Sequence, residues 1–255
     1  MERLNQPRKK GISKQQVFLL GMLFLLAGVI SRSVLQNGIL QMGSMTGQQL
    51  LEAMSASDTA IVAATIALVL QALETCAIPI FAFLLVSEYE TNKKKLLLYL
   101  LLAAVVSELP YNYAMYGNLL HTASRNPVFA MVIALAVLYF FSRYSENSFA
   151  HVLIKIFVAL ASLLWAVMLN VEHGVPLLIV TITIWLLRKK KHFLTLFGGM
   201  ASSACMLVSP FYIVSAMGIL PVYLCREETS EDMKIFSYLS YPVLLLAVGL
   251  LSNFI

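Results

Sequence analysis

Long apolar runs alternate with short polar breaks along this chain, and the alternation predicts helices that cross a membrane rather than strands or a soluble core. A helix through the hydrocarbon layer takes about 20 apolar residues, fewer where the bilayer thins. On that count about eight spans are predicted, at residues 17–36, 59–86, 96–108, 127–141, 149–169, 175–187, 193–220 and 235–251. The third, fourth and sixth are short and are expected to tilt little or to be partly re-entrant. A break near Ser209 and Pro210 is expected inside the seventh. Residues 73–118 organise the rest: an apolar helix carrying Glu74 and Pro79, a short basic hinge, and a second apolar helix that is expected to end at Glu108, before Pro110. The fold class is therefore all-α, a polytopic helical membrane protein. With no long linker, repeat or low-complexity tract, residues 1–255 form one membrane domain.

Charge sets the orientation. The basic residues cluster at residues 3–14, 93–95 and 188–191, between apolar runs, whereas residues 37–58 contain no Lys or Arg. The positive-inside rule then places the N- and C-termini in the cytoplasm and residues 37–58, 110–126 and the acidic stretch 225–232 outside. The N-terminal basic run followed by a long apolar stretch, with no small-residue cleavage site, reads as an uncleaved first span.

Composition agrees. The chain is 60% hydrophobic and 12% charged, about half the charged share of a soluble domain. Its net charge of +5 comes from the loop clusters. No basic face with interleaved aromatics lies outside the spans, which excludes nucleic acid as a partner. Cys76, Cys205 and Cys225 show no paired spacing, and the histidines at 121, 151, 173 and 192 show no metal-ligand spacing, so neither a disulfide framework nor a metal site is expected.

Ionisable groups at membrane depth are costly and call for a reason. Glu74 is the clearest. Pro79 removes the donor to the carbonyl of Thr75, so a kinked helix with a polar pocket is expected around Glu74. There a general acid or base, a proton or substrate site, competes with a protonated glutamic acid that joins helices. Ser107, Glu108, Tyr111 and Asn112 form a second group at a helix end, as site or as cap. Glu172 and His173 form a third, an acid–base pair if both point the same way. Lys234 and Tyr238 stand one turn apart at the start of the last span, where they interact with each other or with the interface. Lys93, Lys94, Lys95 and Arg188 suit the phosphates of an anionic cofactor such as coenzyme A, or anionic lipid heads.

The blocks Ala77-Ile-Pro-Ile-Phe-Ala-Phe-Leu-Leu-Val86, residues 95–102 and Ser107-Glu-Leu-Pro-Tyr-Asn112 resemble the TraX family of small bacterial membrane proteins. Residues 126–129, 172–175 and 234–246 continue the likeness more weakly. The resemblance implies a relation to transmembrane acyltransferases. It implies a bacterial cytoplasmic-membrane location and acetylation of pilin in conjugation, with acetyl-coenzyme A as donor substrate and no tightly bound cofactor. The chemistry implied is acyl transfer to an amine or hydroxyl, with Glu74, Glu108 and His173 as catalytic candidates. Ser107, Asn112, Glu172, Lys234 and Tyr238 are the substrate-binding candidates. The family pattern places Asp and His where Leu25 and Leu26 stand, a second histidine at Leu244, and an arginine at Thr75. Leucine cannot move a proton. The alternative is thus a catalytically degenerate relative, a pseudoenzyme acting as membrane subunit or scaffold of a secretion, export or conjugation apparatus. A small transporter lacks the inverted repeat that would support it.

Overall fold

The computed structural model describes residues 11–41, 52, 57–91, 93–146, 148–226 and 235–252. Those residues fold into helices, with no strand among them beyond two isolated bridges. Helix α1 (Lys14–Val29) starts at a capping box, in which Ser13 Oγ accepts from the Gln16 N–H and Gln16 returns the bond to the Ser13 N–H. It runs on into a π-helical segment, Ile30–Ile39. Next come α2 (Asp58–Glu74), α3 (Ala77–Thr91), α4 (Lys93–Tyr116), α5 (Val128–Arg143), α6 (Phe149–Met168) and α7 (Gly174–Leu187). Helix α8 (Lys191–Ala204), a 3₁₀ segment (Pro210–Gly218), α9 (Ile219–Leu224) and α10 (Ile235–Ser252) complete the bundle.

Among the described residues, four helical stretches are long and apolar enough to cross a membrane: Lys14–Ile39, Asp58–Thr91, Lys95–Tyr116 and Phe149–Met168. Shorter apolar helices pack among them. Their outer faces stay apolar: Leu97, Leu98, Leu101, Val105 and Leu109 of α4 and Phe157, Leu160 and Leu164 of α6 are all exposed. A water-soluble protein does not leave so broad a belt uncovered, and lipid is the solvent it suits.

Three expectations need correction. The helix expected to stop at Glu108 continues through Pro110 to Tyr116. Pro110 strands only the Val106 carbonyl, and ending the helix there in apolar surroundings would leave more backbone groups without partners, so the helix continues. The stretch 193–220 is not one broken span but an antiparallel hairpin: Ser202 and Ser215 share a hydrogen bond across it. Its return leg brings Cys225 into a bridge with Ile12 and puts the Cys225 carbonyl 3.0 Å from Lys191 Nζ. The stretch 225–232 therefore begins at the basic end of the bundle, beside the Lys14–Glu88 and Arg188–Glu90 pairs, rather than at the opposite end.

That hairpin reverses the last helix. Tyr238 packs on Tyr99 near the start of α4, with ring centroids 5.5 Å apart, and Gly249 lies against Tyr113 and Ala114 near its end. Helix α10 runs parallel to α4, so Ser252 sits at the opposite end of the bundle from Lys14. The two ends of the described chain do not share a face.

Candidate functional site

Glu74 closes α2, and the chain breaks immediately after it. With no N–H at Pro79, the Thr75 carbonyl accepts instead from Ile78 at 3.1 Å, a tighter turn that leaves Thr75 and Cys76 between two helices. The 3₁₀ segment fills this gap. Thr75 Oγ1 donates to the Phe211 carbonyl at 3.3 Å, Cys76 Sγ to the Val214 carbonyl at 3.4 Å, and Gly218 lies where any Cβ would collide with the Cys76 carbonyl. Tyr212 is thereby held beside the break. The kink expected from Pro79 is present, but its carbonyl is satisfied within the chain and is not what makes the site polar.

Arg32 does that. It lies in the π-helical segment, which is pinned to its neighbours by polar side chains: Ser31 Oγ to the Ala67 carbonyl at 2.7 Å and Asn37 Nδ2 to the Met115 carbonyl at 2.7 Å. Such segments recur at functional sites because they shift side chains out of the α-helical register. The Arg32 guanidinium bridges two carboxylates, Glu74 Oε2 at 3.0 Å and Glu172. Tyr111 donates to the other oxygen of Glu172 at 2.6 Å. Gly28, one turn before Arg32, leaves the room that the Glu74 carboxyl occupies.

A short bridge sets the second half. Arg125 pairs with Val171 through Arg125 N–H to the Asn170 carbonyl and Glu172 N–H to the Arg125 carbonyl, each 3.0 Å. The turn then passes through His173 with φ +53°, in the left-handed region, before α7 begins at Gly174. A non-glycine residue there is strained by about 1 kcal/mol or more. The result aims the imidazole inward: Nε2 lies 3.4 Å from Glu74 Oε1 and 3.9 Å from Glu172 Oε1, and Nδ1 lies 2.7 Å from the Tyr212 hydroxyl. His173 Nε2 and Arg32 Nε are buried with no hydrogen-bond partner in the structure.

Of the candidates named from the sequence, Glu74, Glu172 and His173 thus meet, and Tyr111 joins them through Glu172. The others do not. Glu108 binds Arg125 at 2.9 Å and Asn126 Nδ2 at 2.7 Å, holding the loop segment that bridges to Val171 before the His173 turn. Ser107 bonds back along its own helix, and Asn112 Nδ2 donates to the Leu119 carbonyl at 3.3 Å. Arg188 pairs with Glu90 at 2.8 Å and stacks on Trp185. Lys95 is exposed at the basic end, where Lys93 and Lys94 open α4. Lys234 lies outside the described residues. Arg32 and Tyr212 were missed. Arg32 had a signal, being the sole charged residue between Lys14 and Glu52; Tyr212, an ordinary tyrosine in an apolar run, had none.

Glu74, Glu172 and His173 present donor atoms within 4.8 Å of one another. Arg32 already supplies a cation between the two carboxylates, so a metal ion would have to displace it, and the group suits an ion-pair network better than a metal centre.

A chamber of about 90 Å³ adjoins the cluster. Glu74 and His173 line one end, and Glu88, Ser237 and Tyr238 line the other. The walls between are mostly apolar, from Met22, Leu25, Phe81, Leu100, Ala103 and Leu177 among others, with Tyr241 also in the lining. Glu74 and Glu88 are separated by about 20 Å of helix rise.

Comparison with known proteins returned no matching curated protein and no matching solved structure. The family model described as TraX protein matches residues 33–252. The match begins one residue after Arg32, so residues 22–28, with Leu25 and Leu26, lie outside it. Glu74, Tyr111, Glu172, His173 and Tyr212 all lie within it, together with nearly the whole bundle that holds them, and on that extent the chain belongs to the TraX family.

Proposed function

We propose that this protein transfers an acyl group to an amine or hydroxyl acceptor at the membrane, with His173 as general base. One observation carries the reading: a partly buried imidazole whose Nδ1 is fixed by Tyr212 and whose buried, unbonded Nε2 stands 3.4 Å from Glu74, at the end of a chamber. In the step, His173 Nε2 takes the proton of the acceptor O–H or N–H, and the acceptor atom bonds to the acyl carbonyl carbon. The bond from that carbon to the leaving atom breaks, and the imidazolium returns its proton to the leaving group. Glu74 stabilises the imidazolium, and Arg32 Nε is the donor at hand for the developing oxyanion.

Family membership implies acetyl-coenzyme A as the donor substrate, with no tightly bound cofactor. The positive-inside rule supports a cytoplasmic basic end, and family membership implies a multi-pass protein of a bacterial cytoplasmic membrane with a protein partner or protein substrate there. A second reading has its own observation: Leu25 is part of the chamber wall and Leu244 is packed against the core, so the positions where the resemblance expects acid–base groups are apolar. That favours a silent membrane subunit or scaffold.

Calorimetry and turnover with acetyl-coenzyme A and amine acceptors separate the two. Saturable binding with turnover, lost in Glu74→Gln and His173→Gln, supports the transferase. No binding at millimolar donor, together with no turnover of any acyl ester, leaves the scaffold reading.

A further inference from the structure

We infer that the chamber holds the hydrocarbon chain of the acyl donor, and that this donor is an ester of a membrane lipid. The inference rests on the acyl-transfer reading and changes its donor class. The argument begins with the walls. From Glu74 to Glu88, over about 20 Å, the lining side chains are mostly apolar, Met22, Leu25, Phe81, Leu100, Ala103, Leu177 and their like, and Tyr241 is the one polar side chain besides those named at the two ends. A pantetheine arm carries amides, and amides drawn along such walls would lose their hydration without gaining partners. A methylene chain asks for none. It leaves the apolar interior of a bilayer for an equally apolar channel and gains close contact with a packed wall.

The position of the acid–base group then fixes the chain's direction. His173 and Glu74 lie at the end away from Lys14 and Glu88, so a carbonyl at His173 sends its chain toward the basic end. The alcohol part of the ester lies on the opposite side, beside Arg32 and Glu172, whose side chains are 18% and 12% exposed. The chain ends near Glu88, which pairs with Lys14 at 3.5 Å. A charged pair at the far end makes a floor, and the floor sets a limit on chain length. In the transfer, the acceptor's nitrogen or oxygen bonds to the ester carbonyl carbon and the ester C–O bond breaks. His173 carries the acceptor's proton to the departing alcohol, which leaves as a lyso-lipid.

The test uses the full chain in nanodiscs with two kinds of probe. The first is a phospholipid whose acyl chain bears a diazirine near its end, with labelled peptides identified by mass spectrometry. Labelling of α3 and α4 at Phe81, Leu84, Leu100 or Ala103 is expected, and labelling confined to the lipid-facing Leu97, Leu98 and Val105 overturns the inference. The second is a donor series of para-nitrophenyl esters with chains from two to sixteen carbons. Transfer is expected to rise with chain length and then fall sharply. In Ala103→Trp, and in the milder Leu100→Phe, the ratio of long-chain to two-carbon transfer should drop roughly tenfold or more. A flat series, or a ratio unchanged in both variants, overturns it as well. The photolabel needs no turnover. Chamber labelling without transfer from any donor counts against acyl transfer alone, and transfer from acetyl-coenzyme A without chamber labelling counts against the lipid donor alone.

Discussion

Arg32 reaches from the π-helical part of the first span to Glu74 at 3.0 Å and, with its other amino group, to Glu172. One guanidinium thus ties the end of α2 to the turn that opens α7. Its five donors in a planar fork suit two carboxylates at once, which a lysine cannot match.

Removing that charge leaves two carboxylates facing each other away from water. Arg32→Gln is expected to cost about 3 kcal/mol or more, read as a lowered melting transition in nanodiscs. Arg32→Lys should recover part of the loss. The double change Arg32→Gln with Glu74→Gln should be milder than Arg32→Gln alone, because one uncompensated charge goes with its partner. A melt for Arg32→Gln indistinguishable from wild type would remove the network from any account of stability.

Gly28 matters for space, not for backbone freedom. A Cβ built there would overlap the Glu74 carboxyl. Gly28→Ala should therefore push Glu74 off Arg32 and His173, at about 1–3 kcal/mol of overpacking. Gly38, whose Cβ would meet only the Ser33 carbonyl at 3.6 Å, is the control: Gly38→Ala should leave the melt near wild type. Equal melts for the two variants would show that the close approach at Gly28 is not sustained.

Helix placement was legible from the apolar runs because burial in lipid needs only length and hydrophobicity, and Lys14–Ile39 and Phe149–Met168 follow the expected spans closely. The hairpin of α8 and the 3₁₀ segment was not legible. Its two legs are joined by a short turn at residues 205–209, and in hydropathy alone such a pair resembles one broken span. The helix end placed at Glu108 failed for a related reason. The rule that proline stops a helix assumes water will take the freed backbone groups, whereas in apolar surroundings a helix that runs on past Pro110 strands fewer of them than one that ends. Glu74, Glu172 and His173 were each visible as polar groups in apolar surroundings. Their meeting was not, because it depends on the Arg125–Val171 bridge and the left-handed turn.

Glu108 tests whether a partly buried carboxylate is chemical or structural. It grips Arg125 and both the side chain and N–H of Asn126, and Asn126 caps α5 by accepting from the Val128 N–H at 3.0 Å. Glu108→Ala should lower the melt by about 1–3 kcal/mol through the donors it strands. Glu108→Gln, which keeps an acceptor, should fall between. Acyl transfer should follow the melt in both. Turnover abolished in Glu108→Gln with the melt intact would return Glu108 to the chemistry.

His173 allows backbone and side chain to be separated. At φ +53° an alanine keeps the strain of a Cβ and loses the imidazole, while a glycine loses both. His173→Gly should therefore be more stable than His173→Ala by about 1 kcal/mol, although each forfeits the bond to Tyr212. If the imidazole is the base, both variants should lose transfer by roughly 10²–10⁴-fold, so activity and stability part company. Free imidazole should then restore some turnover to His173→Gly, where the most space has been opened, and less to His173→Ala. A His173→Gly protein that transfers at the wild-type rate would leave the turn as architecture only, and Glu74 would be the remaining candidate base at that end of the chamber.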